Sequence, residues 1–126
     1  MTEIREALLY TESDEWVHKK NGAVRIGITD YAQEHLTDAV YIELPTVGDT
    51  FSQGDEIATI ESVKSVSEIY SPVSGEIVAV NQRLENEPEL INSSPYDEGW
   101  LVEILMSNVK DLESLISAAD YKTKLG

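Results

Sequence analysis

Few residues in this chain could do chemistry. It contains no cysteine, so disulfides, thiolate nucleophiles and cysteine-based metal sites are excluded. Any thiol or redox chemistry must be imported on a cofactor. The two histidines, His18 and His35, show no H-x-x-x-H or H-E-x-x-H spacing, and no metal site is expected. No Ser-His-Asp arrangement and no Gly-rich phosphate loop can be placed. One lysine, Lys64, sits between two β-patterned runs, in Glu61-Ser62-Val63-Lys64-Ser65. A lysine at an exposed position is usually just a solvated charge. Its amine can also accept an acyl group, which removes the charge and makes a neutral tethered arm. Nothing in the adjoining sequence would activate it as a nucleophile. No catalytic residue is assigned.

Two alternating runs lie on either side of that lysine. Ile57, Thr59 and Glu61 alternate with Ala58, Ile60 and Ser62, and Val66, Glu68 and Tyr70 with Ser67, Ile69 and Ser71. Period-two alternation with β-branched residues is a strand signature. The pattern reverses at Val63-Lys64-Ser65, which puts Lys64 at a hairpin tip. Pro72 and Gly75 close the second run.

Along the rest of the chain, residues 1–10 read as a frayed lead-in to an edge strand. Asn21-Gly22 predicts a two-residue hairpin between Trp16–Lys20 and Ala23–Ile28. Thr29 to Leu36 reads as a short helix capped by Asp30 and answered by Gln33. Val40 to Leu44 is a strand stopped by Pro45. Gly54-Asp55-Glu56-Ile57 echoes Gly75-Glu76-Ile77 and hints at approximate two-fold structure within one domain. Asn81 to Pro95 reads as a loop, with Pro88 and Pro95 blocking regular structure. Trp100 to Met106 is the final strand. Leu112, Leu115, Ile116 and Ala119 predict a C-terminal helix over about 108–121. The fold class is all-β dominated, a flattened β-barrel or sandwich with short helices at its margins.

The 126 residues suit one domain, 1–126, and 41% of them are hydrophobic. A net charge of −15 argues against nucleic acid and anionic membranes as partners and fits docking to basic protein surfaces. No apolar run reaches membrane-spanning length, and the N-terminal stretch resembles neither a signal nor a transit peptide. A cytoplasmic location is expected.

The run around Lys64, followed by Ser71-Pro72-Val73-Ser74-Gly75-Glu76, resembles the lipoyl-attachment hairpin of the glycine cleavage system H-protein family. Further matches follow in order. Tyr10 to Val17 is similar to Y-x-x-x-H-E-W-V, with Asp14 where histidine is common. Gly27 to Gln33 matches G-I-T-x-x-A-Q, and Val40 to Gly48 matches V-x-x-E-L-P-x-x-G. Pro88 to Tyr96 with Gly99-Trp100 matches P-x-L-[IV]-N-x-x-P-Y…G-W. Two departures stand out: Thr37 where the family commonly has glycine, and Ser65 in place of the usual alanine.

The resemblance implies a lipoyl-domain-like barrel-sandwich hybrid with a lipoyl-binding core over about 22–106. It implies (R)-lipoate bound covalently to Lys64 by a lipoate-attaching enzyme. It also implies a carrier that breaks no bond itself. Such a carrier takes the aminomethyl group of glycine from the P-protein (glycine decarboxylase) to the T-protein (aminomethyltransferase) and is reoxidised by the L-protein. By the same resemblance the cleft that shelters the loaded arm falls at Ser13, Glu15, Ile28, His35 and Glu68, with Glu15 the first choice for contact to its amine. The alternatives are a lipoyl or octanoyl relay donor, a lipoyl or biotinyl domain of another multienzyme system, and a binding domain without cofactor. Valine and serine, not methionine, flank Lys64, which disfavours biotin.

Overall fold

Asn21-Gly22 turns the chain back sharply, with Asn21 at a left-handed φ of 47°. The hairpin it closes seeds the larger of two antiparallel sheets in this computed structural model, which describes residues 2–126. In chain order the elements are β1 (Leu9–Tyr10), β2 (Glu15–Lys20), β3 (Ala23–Ile28), α1 (Asp30–Leu36), β4 (Ala39–Glu43), β5 (Thr50–Phe51), β6 (Glu56–Ser62), β7 (Val66–Tyr70) and β8 (Gly75–Val80). There follow α2 (Arg83–Asn86), α3 (Leu90–Ser93), β9 (Val102–Met106), a 3-10 helix (Val109–Ser114) and α4 (Ala118–Leu125). The six-stranded sheet runs β1-β2-β3-β9-β8-β5 and the three-stranded sheet β4-β6-β7. Their inner faces share one core, in which Val24, Ile26 and Ile104 of the large sheet meet Ile42, Ile60 and Ile69 of the small one. The all-β-dominated expectation holds as two facing sheets, not as a closed barrel.

The hairpin expected at 57–71 forms as β6 and β7. One detail of its alternation differs. The register shifts between Glu56 and Ala58, and this bulge buries Ile57 and Ala58 together.

Four expectations need correction. The lead-in is tied down: the Glu3 amide donates to Asp30 at 2.7 Å, Arg5 forks onto Asp97, and Leu8 and Tyr10 are buried. Helix α1 is capped by Thr29, whose hydroxyl accepts from Ala32 N; Asp30 is already helical and accepts instead from the Gln33 side chain. Residues 81–95 are not a bare loop. Pro88 precedes α3 and Pro95 follows it, so the prolines bracket a short helix where no amide is needed. The C-terminal helix does not run over 108–121. A 3-10 helix capped by Asn108 comes first, and α4 starts only at Ala118, capped by Ser117, and continues to Leu125. Between them Ile116 exchanges two backbone hydrogen bonds with Tyr10, at 2.7 and 2.8 Å, which hold 115–117 extended. Tertiary pairing outweighs the helical periodicity there.

Thr37 ends α1 at φ 66°, ψ −154°, a region almost reserved for glycine. A β-branched residue is strained there. Thr37→Gly is expected to stabilise the protein by about 1 kcal/mol, since relieved strain exceeds the added chain entropy. A chemical-denaturation midpoint that fails to rise would contradict this.

Candidate functional site

Strands β6 and β7 place Lys64 at the free end of the small sheet. Glu61 pairs with Val66 and Thr59 with Glu68. Past that ladder the turn is held by Ser62. Its amide donates to Ser65 O at 2.8 Å, and its buried hydroxyl accepts from Ser65 N at 3.2 Å while donating to Ser65 O at 3.1 Å. Val63 N donates to Asp38 O at 3.1 Å, fixing the tip to the turn after α1. The backbone of the tip is therefore well held while Lys64 itself is exposed. The sequence reading gave Ser62 no role. Its signal was the serine two positions before the lysine, a spacing that suits a side-chain-to-backbone turn bond.

Beside the tip opens a cleft of about 390 Å³. Tyr31, Ala32 and His35 of α1 form one wall, and Val66 and Glu68 of β7 another. Four of the five expected cleft residues, Ser13, Ile28, His35 and Glu68, line it together. Ile28 is buried, and the other three are exposed. His35 packs edge-on against Tyr31, with ring centroids 4.3 Å apart.

Glu15 lies elsewhere. It lines an adjoining depression with Gln53 and Tyr70, and Ser13 borders both spaces. The Glu15 side chain is drawn there by its own partners. Its Oε1 accepts from Thr11 Oγ1 at 2.5 Å and Ser13 Oγ at 2.6 Å, and its Oε2 accepts from Tyr70 N at 3.2 Å. Only 1% of the residue is exposed, and no cation pairs with it among the described residues. Burial pushes its carboxyl above the ordinary 4.5, against the pull of the Ser13 and Thr11 hydroxyls and the Tyr70 amide. The folded state thus holds this proton more tightly than the unfolded chain. Its contribution to stability is fully present below the ordinary value and is lost as pH rises through the raised one. Glu15→Gln removes that dependence. The melting temperature of the parent relative to Glu15→Gln should therefore rise as pH falls from 8 towards 5, a trend scanning calorimetry can follow. A gap that is flat or runs the other way would reject the assignment.

Among the described residues no helix is long and apolar enough to cross a membrane. Residues 8–126 match the family model described as glycine cleavage H-protein. The chain is 54% identical over 118 residues to the glycine cleavage system H protein of Listeria innocua, covering 94% of each chain. It is 49% identical to that of a Psychrobacter species, covering 99% of this chain and all of the other. The crystal structure of a glycine cleavage system H protein from Mycobacterium marinum superposes with a TM-score of 0.91 at 36% identity, over 98% of this chain and 99% of that one. With agreement of that breadth in sequence and fold, the chain belongs to the glycine cleavage H-protein family and is a non-catalytic lipoyl carrier serving the P-, T- and L-proteins of the glycine cleavage system.

Proposed function

We propose that Lys64 is the lysine that carries the lipoyl group. One observation supports this most: an exposed lysine stands on a backbone-fixed tip at the mouth of a cleft. The cleft's 390 Å³ lies in the range of small-molecule sites. Its apolar floor of Ile28, Ile60 and Ile69 suits a methylene chain, and its polar rim suits an amine at the end of a loaded arm. When attached, the group supplies a dithiolane that accepts and releases the one-carbon unit. The protein's residues do the rest. The hairpin presents the ε-nitrogen, Ile28 excludes water from the floor, and Ser13, His35 and Glu68 offer acceptors at the rim. Glu15 braces Ser13 from the neighbouring depression, 2.6 Å from its hydroxyl. In this reading the chain is a single domain with its lipoyl-binding core over about 22–106, and it works in the cytoplasm with the enzymes it serves.

Peptide mass spectrometry of protein from its native, lipoate-replete cell tests the assignment. A lipoyl adduct on Lys64 is expected. A biotinyl adduct, or an unmodified Lys64, would overturn it.

A further inference from the structure

The tip that bears Lys64 is fastened to the body of the protein through Asp38, and that fastening has its own support. Asp38 lies in the short turn between α1 and β4. Thr37 on one side of it has the strained φ of 66°. The Asn92 carboxamide of α3 bridges this turn. Its Oδ1 accepts from Ala39 N at 2.9 Å, and its Nδ2 donates to Thr37 O at 2.6 Å and to Gln33 Oε1 at 3.2 Å. Only this orientation of the amide pairs a donor with an acceptor at all three contacts. The residues on both sides of Asp38 are thereby held by one side chain. Asp38 O then accepts from Val63 N at 3.1 Å, immediately before Lys64. Upstream of the same turn, α1 supplies Tyr31, Ala32, His35 and Leu36 to the cleft.

From this geometry we infer that Asn92 is a positioning residue for Lys64, setting the attachment tip and the α1 wall of the cleft in register with each other. The inference rests on Lys64 as the attachment site. Its neighbours Leu90 and Ile91 are buried in the core, whereas Asn92 is half-buried at the edge. Its role is to supply directional hydrogen bonds to a turn that would otherwise relax out of a strained conformation. Asn92→Asp keeps the shape and the acceptor for Ala39 N, but replaces the two donors with a carboxylate facing the Thr37 carbonyl.

Amide hydrogen exchange on the unmodified protein, with steady-state kinetics of lipoate attachment, tests the inference. In Asn92→Asp, exchange at the Val63 amide should quicken by about tenfold or more, as expected when a half-buried polar contact is lost. Amides of Ile26 and Ile104 in the large sheet should keep their protection. With a lipoate-attaching enzyme and free lipoate, KM for the protein should rise several-fold while kcat stays within about twofold. Adding Thr37→Gly relaxes the turn and should restore Val63 protection in the double variant, which also serves if the single variant folds poorly. Unchanged Val63 protection, equal loss throughout the large sheet, or an unchanged KM would each overturn the role of Asn92. Parent protein that accepts no lipoate on Lys64 would instead sink the attachment reading, and the exchange comparison would still judge the clamp.

Discussion

Lys64→Arg is expected to abolish lipoate attachment and, with it, glycine cleavage in an assay reconstituted from the P-, T- and L-proteins. Arginine keeps the positive charge and the length, but its guanidinium stays protonated and does not become the acylated amine. Stability should be unaffected, because Lys64 is exposed and its side chain makes no hydrogen bond or ion pair among the described residues. The variant therefore separates chemistry from folding. Two measurements decide the matter: intact mass after incubation with lipoate and its attaching enzyme, and glycine-dependent release of CO2. A folded Lys64→Arg protein that still gains the adduct, or still supports turnover, would mean that another lysine carries the group.

The second large effect is on stability. A Cβ added at Gly75 would lie 2.1 Å from Leu105 O and 2.8 Å from Ile104 Cγ2. Gly75 stands opposite both Met106 of β9 and Phe51 of β5. The obstruction is main chain, so no rotamer change relieves it, and β8 and β9 must separate locally. Gly75→Ala is expected to destabilise the protein by roughly 3 kcal/mol, at the upper end for overpacked sites. Urea unfolding would measure it. A midpoint within error of the parent would show that the sheet shifts freely. The obstruction lies between strands of the large sheet, away from the Lys64 tip, so the folded fraction should still accept lipoate on Lys64. That distinguishes this glycine from the residues of the tip.

Much of this arrangement was legible in the sequence because short-range rules wrote it. Asn21-Gly22 fixes its own turn, and the alternation through Ile57 to Tyr70 fixes a hairpin with Lys64 at the end. Readings failed where distant residues decide. The helical period of Leu112 to Ala119 could not show that Ile116 pairs with Tyr10, more than a hundred positions away. Thr29 and Asp30 are both good caps, and only the backbone shows which amide each can reach. Ser13, Ile28, His35 and Glu68 come together as the family resemblance implied, but Glu15 is turned away by Thr11 and the Tyr70 amide. Thr37 was visible as a departure from glycine, whereas its left-handed backbone and the support from Asn92 appear only in three dimensions.

The strand order of the large sheet bears on how the protein is made. β9 lies between β3 and β8, yet it is the last strand in the chain. A ribosome that has delivered the Lys64 hairpin has not yet delivered the strand that joins the two halves of the sheet. The edge at Tyr10 closes later still, when Ile116 emerges. Most of the pairing in this sheet is therefore non-local, which slows folding and defers it until synthesis is almost complete. The attaching enzyme is therefore expected to act on the finished protein rather than on a nascent one. Loss of the last twenty or so residues should thus cost cofactor loading as well as stability, although none of them lines the cleft beside the lysine.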